Sequence, residues 1–153
     1  MAETSPRLYV PALGRVYEGL RPYAEAVLRI GLGAILIPHG LQKLFGWIGG
    51  AGLTRFAQIF ESLGYSPGLF WTVVVALTET VGGALLIVGL FTRPAALAVV
   101  IFMLNAIHVT SAKGFFWTQQ GAEYSILILL VGFYFLIRGG AAFSLDRKLG
   151  REF

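Results

Sequence analysis

The chain has 153 residues, of which 56% are hydrophobic and only 13% charged, with a net charge of +4. Soluble domains carry about 25% charged residues, and the mean hydropathy of +0.74 points equally away from a water-soluble core. With no cysteine, disulfides, thiol catalysis and thiolate metal sites are excluded. The basic residues collect at the ends of apolar blocks, which suits anionic lipid headgroups rather than nucleic acid. The length fits one domain over residues 1–153.

In chain order, Leu13, Val16, Tyr17 and Leu20 share a helical face and predict an N-terminal interfacial helix. The first apolar block, residues 22–40, begins at Pro22, where a first helical turn tolerates proline. A bilayer core of about 30 Å needs about 20 such residues. Leu53, Phe56, Ala57, Phe60 and Leu63 form a second amphipathic face between Gly49-Gly50 and Gly64. It reads as an outer-surface helix, either a lipid-anchored loop or a lid over the bundle. Blocks two, three and four cover about 69–90, 94–112 and 122–139. The fold class is therefore an all-α integral membrane protein, a bundle of four transmembrane helices. Thr92-Arg93-Pro94 predicts a tight turn that makes spans two and three antiparallel neighbours.

Lys and Arg set the orientation. Arg7, Arg15, Arg21, Arg93, Arg138, Arg147, Lys148 and Arg151 fall on one side and Lys43, Arg55 and Lys113 on the other, eight against three. Both termini are expected in the cytoplasm of a bacterium, with the chain in its inner membrane. No cleavable signal precedes the first span, which would serve as its own insertion signal.

Ionisable and strongly polar groups within apolar spans are costly and mark candidate sites. Here they are Arg29, His39, Glu79, Asn105 and His108. Arg29 lies roughly 10 Å and Glu79 roughly 16 Å from the cytoplasmic boundary, so an Arg29–Glu79 ion pair is expected. That pair is either a brace that fixes helix register or a proton relay in which Arg29 holds the charge of Glu79. Gly31, Gly33, Gly82 and Gly83 would let spans one and two approach closely. Pro38 is expected to kink or end the first span. Asn105 and His108 share a face, and Glu123 enters span four within reach of Lys43. A polar cleft opening outwards is expected from His39, Gln42, Lys43, His108 and Glu123, with Glu79 and Asn105 deeper. It would bind a quinone or a headgroup, unless these groups only bond between helices. Two histidines on separate helices are a weak basis for haem, and with sparse carboxylates no metal site is expected. Gly31-Leu32-Gly33 follows no strand and is a packing pair, not a nucleotide loop.

Several ordered stretches carry a family resemblance. They are residues 28–33, His39-Gly40-Leu41-Gln42-Lys43-Leu44-Phe45-Gly46, Glu79-Thr80-Val81-Gly82-Gly83, Gly89-Leu90-Phe91-Thr92-Arg93-Pro94-Ala95-Ala96 and Phe143-Ser144-Leu145-Asp146. Together the chain resembles the DoxX family of small bacterial membrane proteins over roughly residues 22–149. The resemblance implies a four-helix membrane fold. In some members it implies quinone-coupled thiosulfate or terminal oxidation, in others oxidative-stress redox complexes. It puts Arg29, His39, Gly40, Lys43, Glu79, Arg93 and Asp146 on motif positions. Gly140-Ala141-Ala142-Phe143 departs from the tighter glycine-proline-glycine step frequent in the family. The expected function is that of a redox-associated or quinone-interacting subunit, in a homo-oligomer or with other membrane redox subunits, among membrane lipids. The alternatives are a small-solute or lipid-binding transporter or scaffold without chemistry, and a purely structural subunit of a larger complex.

Overall fold

A computed structural model describes residues 8–153, so Arg7 of the charge count lies outside the described residues. Those residues form helices and connecting turns, with no strand among them. The first long helix, α1, runs Gly14–Phe45 after a 3-10 turn at Pro11–Leu13. At 32 residues it is about 48 Å long. The expected interfacial segment is therefore not a separate element; it is the first part of the helix that continues into the first span. Pro22 and Pro38 both lie inside α1. Of the two outcomes expected at Pro38, a kink or an end, the end does not occur there; the helix stops at Gly46, in the left-handed region at φ 69°.

A short helix, α2 (Gly52–Ser62), leads to α3, which spans Gly68–Val88. Leu53, Phe56, Ala57 and Phe60 of α2 are half-buried, while Leu63 beyond its end is exposed. Over Thr78–Gly82, α3 widens into a π-turn, a local irregularity that often accompanies functional residues. The turn to α4 (Thr92–Ser111) is Gly89-Leu90-Phe91, with Gly89 and Phe91 at φ 67° and 48°. Thr92-Arg93-Pro94, read from sequence as the turn, is the first turn of α4, where proline's missing N–H costs nothing. A 3-10 turn at Trp117–Gln119 precedes α5 (Glu123–Arg138), and α6 (Leu145–Leu149) closes the chain.

The stretches Pro11–Phe45, Gly68–Val88 and Thr92–Ser111 are long and apolar enough to cross a membrane. α5 has 16 residues, about 24 Å, and packs along α4. The core joins Leu32 and Leu36 of α1, Leu86 of α3, Ala95, Ala96, Val99 and Met103 of α4, and Ile128 and Phe135 of α5. The outward faces are also apolar: Leu97, Ile101 and Leu104 on α4, and Leu127, Leu130, Phe133 and Ile137 on α5, are all exposed. An apolar surface around an apolar core suits lipid and not water.

Small residues bring α1 against α3. A Cβ on Gly83 would stand 2.9 Å from the Gly33 carbonyl oxygen, and one on Gly40 2.8 Å from that of Ala76. Backbones can meet this closely only where no side chain intervenes. The two contacts fix the register: Gly33 is level with Gly83, and Gly40 with residues 76–80.

Candidate functional site

That register decides which charges meet. Arg29, one turn before Gly33, is level with the end of α3. Its Nη1 donates to the Leu86 and Ile87 carbonyls at 2.8 and 3.2 Å, and its Nη2 to the Phe143 carbonyl at 2.9 Å. Arg29 is fully buried. Glu79 lies seven residues before Leu86, about 10 Å deeper along the helix. The expected Arg29–Glu79 pair therefore does not form. Distance from the nearest loop does not set the pairing, because the glycine contacts slide α1 along α3.

Glu79 pairs instead with Lys43. The Lys43 Nζ donates to both carboxylate oxygens, at 2.8 and 2.7 Å, and to the His39 carbonyl at 3.2 Å. The ammonium has three donors, and all three are used. The side chains are 12% and 4% exposed for Lys43 and Glu79. Phe56 of α2 covers the pair, its ring centroid 5.3 Å from the ammonium, a cation–π contact. Each part has a local origin. Gly40, one turn before Lys43, brings α1 close enough for the lysine to reach across, and the π-turn holds Glu79 beside it. α2 is held over the site where Gly68 N donates to Glu61 Oε1 at 3.2 Å.

The other members of the expected cleft do not gather here. Gln42 Nε2 donates to the Ile48 carbonyl at 3.1 Å and so closes the loop after α1. The His39 side chain is exposed, its ring 6.3 Å from that of Tyr124. His108 is exposed on α4. Glu123 does not meet Lys43; its Oε2 accepts from the Trp117 backbone N–H at 3.1 Å and fastens the turn before α5. Asn105 belongs to a different feature. Its Nδ2 donates to the Ile101 carbonyl at 2.9 Å, its Oδ1 accepts from the Tyr65 hydroxyl at 3.3 Å, and it lines a cavity of about 410 Å³. The cavity lies between α3, α4 and the end of α2, walled by Phe60, Trp71, Val75, Thr78 and Phe102 among others.

Two polar clusters were not read from sequence. Glu25 of α1 accepts from Tyr134 and Arg138 of α5, with all three contacts at 3.1 Å. A carboxylate three residues past Pro22, four after Arg21, was the available signal. Asp146 of α6 accepts from the backbone N–H groups of Phe91 and Thr92 at 2.8 and 2.9 Å and so caps α4. Its own N–H donates to the Gly89 carbonyl at 2.9 Å. With Arg29 holding the Phe143 carbonyl, the two residues clasp the C-terminal segment onto the α3–α4 turn. Gly89 is required there, since a Cβ would run into the Arg29 guanidinium.

The family model described as DoxX matches residues 24–112. An uncharacterised protein of Haemophilus influenzae is 34% identical over 140 residues, covering 88% of this chain and 97% of its own length. An uncharacterised membrane protein of Mycobacterium tuberculosis is 30% identical, covering 93% and 91%. A Bacillus subtilis protein named "Putative oxidoreductase CatD" is 31% identical over 120 residues, covering 78% and 82%. No solved structure matches the chain.

Proposed function

The chain belongs to the DoxX family, and from that premise we propose that it is a multi-pass inner-membrane subunit that works with a quinone-type electron carrier. The observation that carries this reading is the buried Lys43–Glu79 pair, an ionisable couple within the apolar bundle under a cation–π lid. A quinone gains two electrons and two protons on becoming a quinol. In this reading the electrons come from a partner redox subunit, and Glu79 holds or relays one of the protons. Lys43 balances its charge, and Arg29 takes no part. The name of the Bacillus relative supports a redox context.

The lipid-suited outer face of α5 supports a fourth span and, with it, both termini on one side of the membrane, the cytoplasmic side by the distribution of Lys and Arg. Absence of native cysteine makes this directly testable. Single cysteines at Gln119 and Gly49 should react in intact cells with a membrane-impermeant maleimide. One at Arg151 should react only after lysis. Labelling of Arg151→Cys in intact cells would put the C-terminus outside.

Mild purification followed by mass spectrometry and absorption spectroscopy tests the carrier. A co-purified quinone is expected. Protein that neither retains quinone nor takes it up when added would leave the alternative, a solute- or lipid-binding transporter or scaffold without chemistry.

A further inference from the structure

The cavity between α3, α4 and the end of α2 has a composition that narrows its occupant. At about 410 Å³ it falls in the range, about 300–1,000 Å³, that holds small-molecule ligands. Aromatic rings of Phe60, Trp71 and Phe102 wall it, and the Tyr65 hydroxyl and Asn105 carboxamide supply hydrogen-bonding groups. Asn105 can make four hydrogen bonds, and two are made within the described chain. The contact from Tyr65, at 3.3 Å, is long for a hydroxyl donor. An N–H, a lone pair and the phenol oxygen thus remain to meet a ligand. A carboxamide is expensive in a lipid-facing wall. A plain acyl chain would fill the volume and leave those polar groups unmet.

We propose that this cavity binds a lipophilic ring compound bearing a carbonyl or hydroxyl oxygen, with the ring among Phe60, Trp71 and Phe102 and the oxygen at Asn105 and Tyr65. The inference rests on the quinone reading above and deepens it by placing the ring. It also links the two features: Val75 and Thr78 of α3 line the cavity, and Glu79 is the next residue after Thr78. Aromatic walls favour a flat ring by stacking, and a carbonyl oxygen can accept the free carboxamide N–H.

Trp71 reports on occupancy. In a Trp47→Phe, Trp117→Phe background, Trp71 is the single remaining indole. Lipid nanodiscs carrying this protein are titrated with a benzoquinone bearing one isoprene unit, with no electron donor present. Saturable quenching of Trp71 emission at about one quinone per chain is expected. Asn105→Leu should weaken binding about tenfold, the loss of one hydrogen bond. Ala106→Phe, which fills the cavity, should abolish saturable quenching, with circular dichroism reporting its fold. Quenching that rises linearly, as by partition into lipid, and equally in all three proteins overturns the proposal. So does saturable quenching that Asn105→Leu and Ala106→Phe leave intact, or a cavity found by native mass spectrometry to hold phospholipid that quinone cannot displace. The titration involves no turnover. A silent Glu79→Gln in catalysis would sink the proton role of the pair and leave this binding result standing.

Discussion

Arg29→Met is expected to destabilise the folded protein by about 3 kcal/mol. The substitution keeps the volume of the stem and removes the guanidinium. The Leu86, Ile87 and Phe143 carbonyls then lose their charged donor in a buried setting. A buried acceptor left unsatisfied costs about 1–3 kcal/mol; hydrogen bonds between helices in a bilayer lie at the lower end, about 0.6 kcal/mol on average. Three such groups at about 1 kcal/mol each give about 3 kcal/mol, and two of them, Leu86 and Ile87, stand at the negative end of the α3 dipole, where a cation is favoured. The apparent Tm in detergent should fall by about 6–12 °C, and the segment after Gly140 should become open to protease. Arg29→Lys should recover little, because an ammonium cannot span carbonyls from two segments as the planar fork does. Asp146→Ala, which uncaps α4, should cost about 1 kcal/mol. An unchanged Tm in Arg29→Met would show that the clasp contributes nothing.

Lys43→Met and Glu79→Leu should each destabilise the protein by about 3 kcal/mol, yet the double variant should lie close to wild type. Removing one partner leaves a buried charge uncompensated, whereas replacing both with apolar residues removes the desolvation cost along with the attraction. The double-mutant cycle in thermal unfolding should therefore show a coupling of about 6 kcal/mol, the two single losses together. Strictly additive effects would mean that the pair does not interact. Glu79→Gln keeps the shape and a hydrogen-bond acceptor for Lys43, so it should lose less stability than Glu79→Leu.

The apolar blocks were legible because a bilayer demands length and composition alone, and Gly68–Val88 and Thr92–Ser111 fall almost where hydropathy places them. The continuity of α1 was not. Pro22 reads as the start of the first span and Pro38 as a kink or an end, and yet α1 passes through both as a helix. Glu79 stands out in the sequence as a charge inside an apolar span and Lys43 as a member of the outward cleft, but nothing in the sequence pairs the two. Their partnership depends on a glycine register of a few ångströms between α1 and α3, which no single-helix pattern records. Arg29 was misread for the same reason. Its partners are backbone carbonyls, which carry no sequence signature. Asp146 stood on a motif, but its role as the cap of α4 emerges only when α6 folds back across more than 50 residues.

The central claim is that Glu79, held by Lys43, handles a proton for a quinone-type carrier. It is tested most directly by the rate of short-chain quinone reduction in inverted membrane vesicles that contain the protein with its native partners. Glu79→Gln should lower that rate about a hundredfold, the scale of a lost general acid or base. Assembly in the membrane and saturable quinone binding should persist. A rate equal to wild type, with Glu79→Gln present at the same level, would contradict the claim and leave the pair as a structural brace.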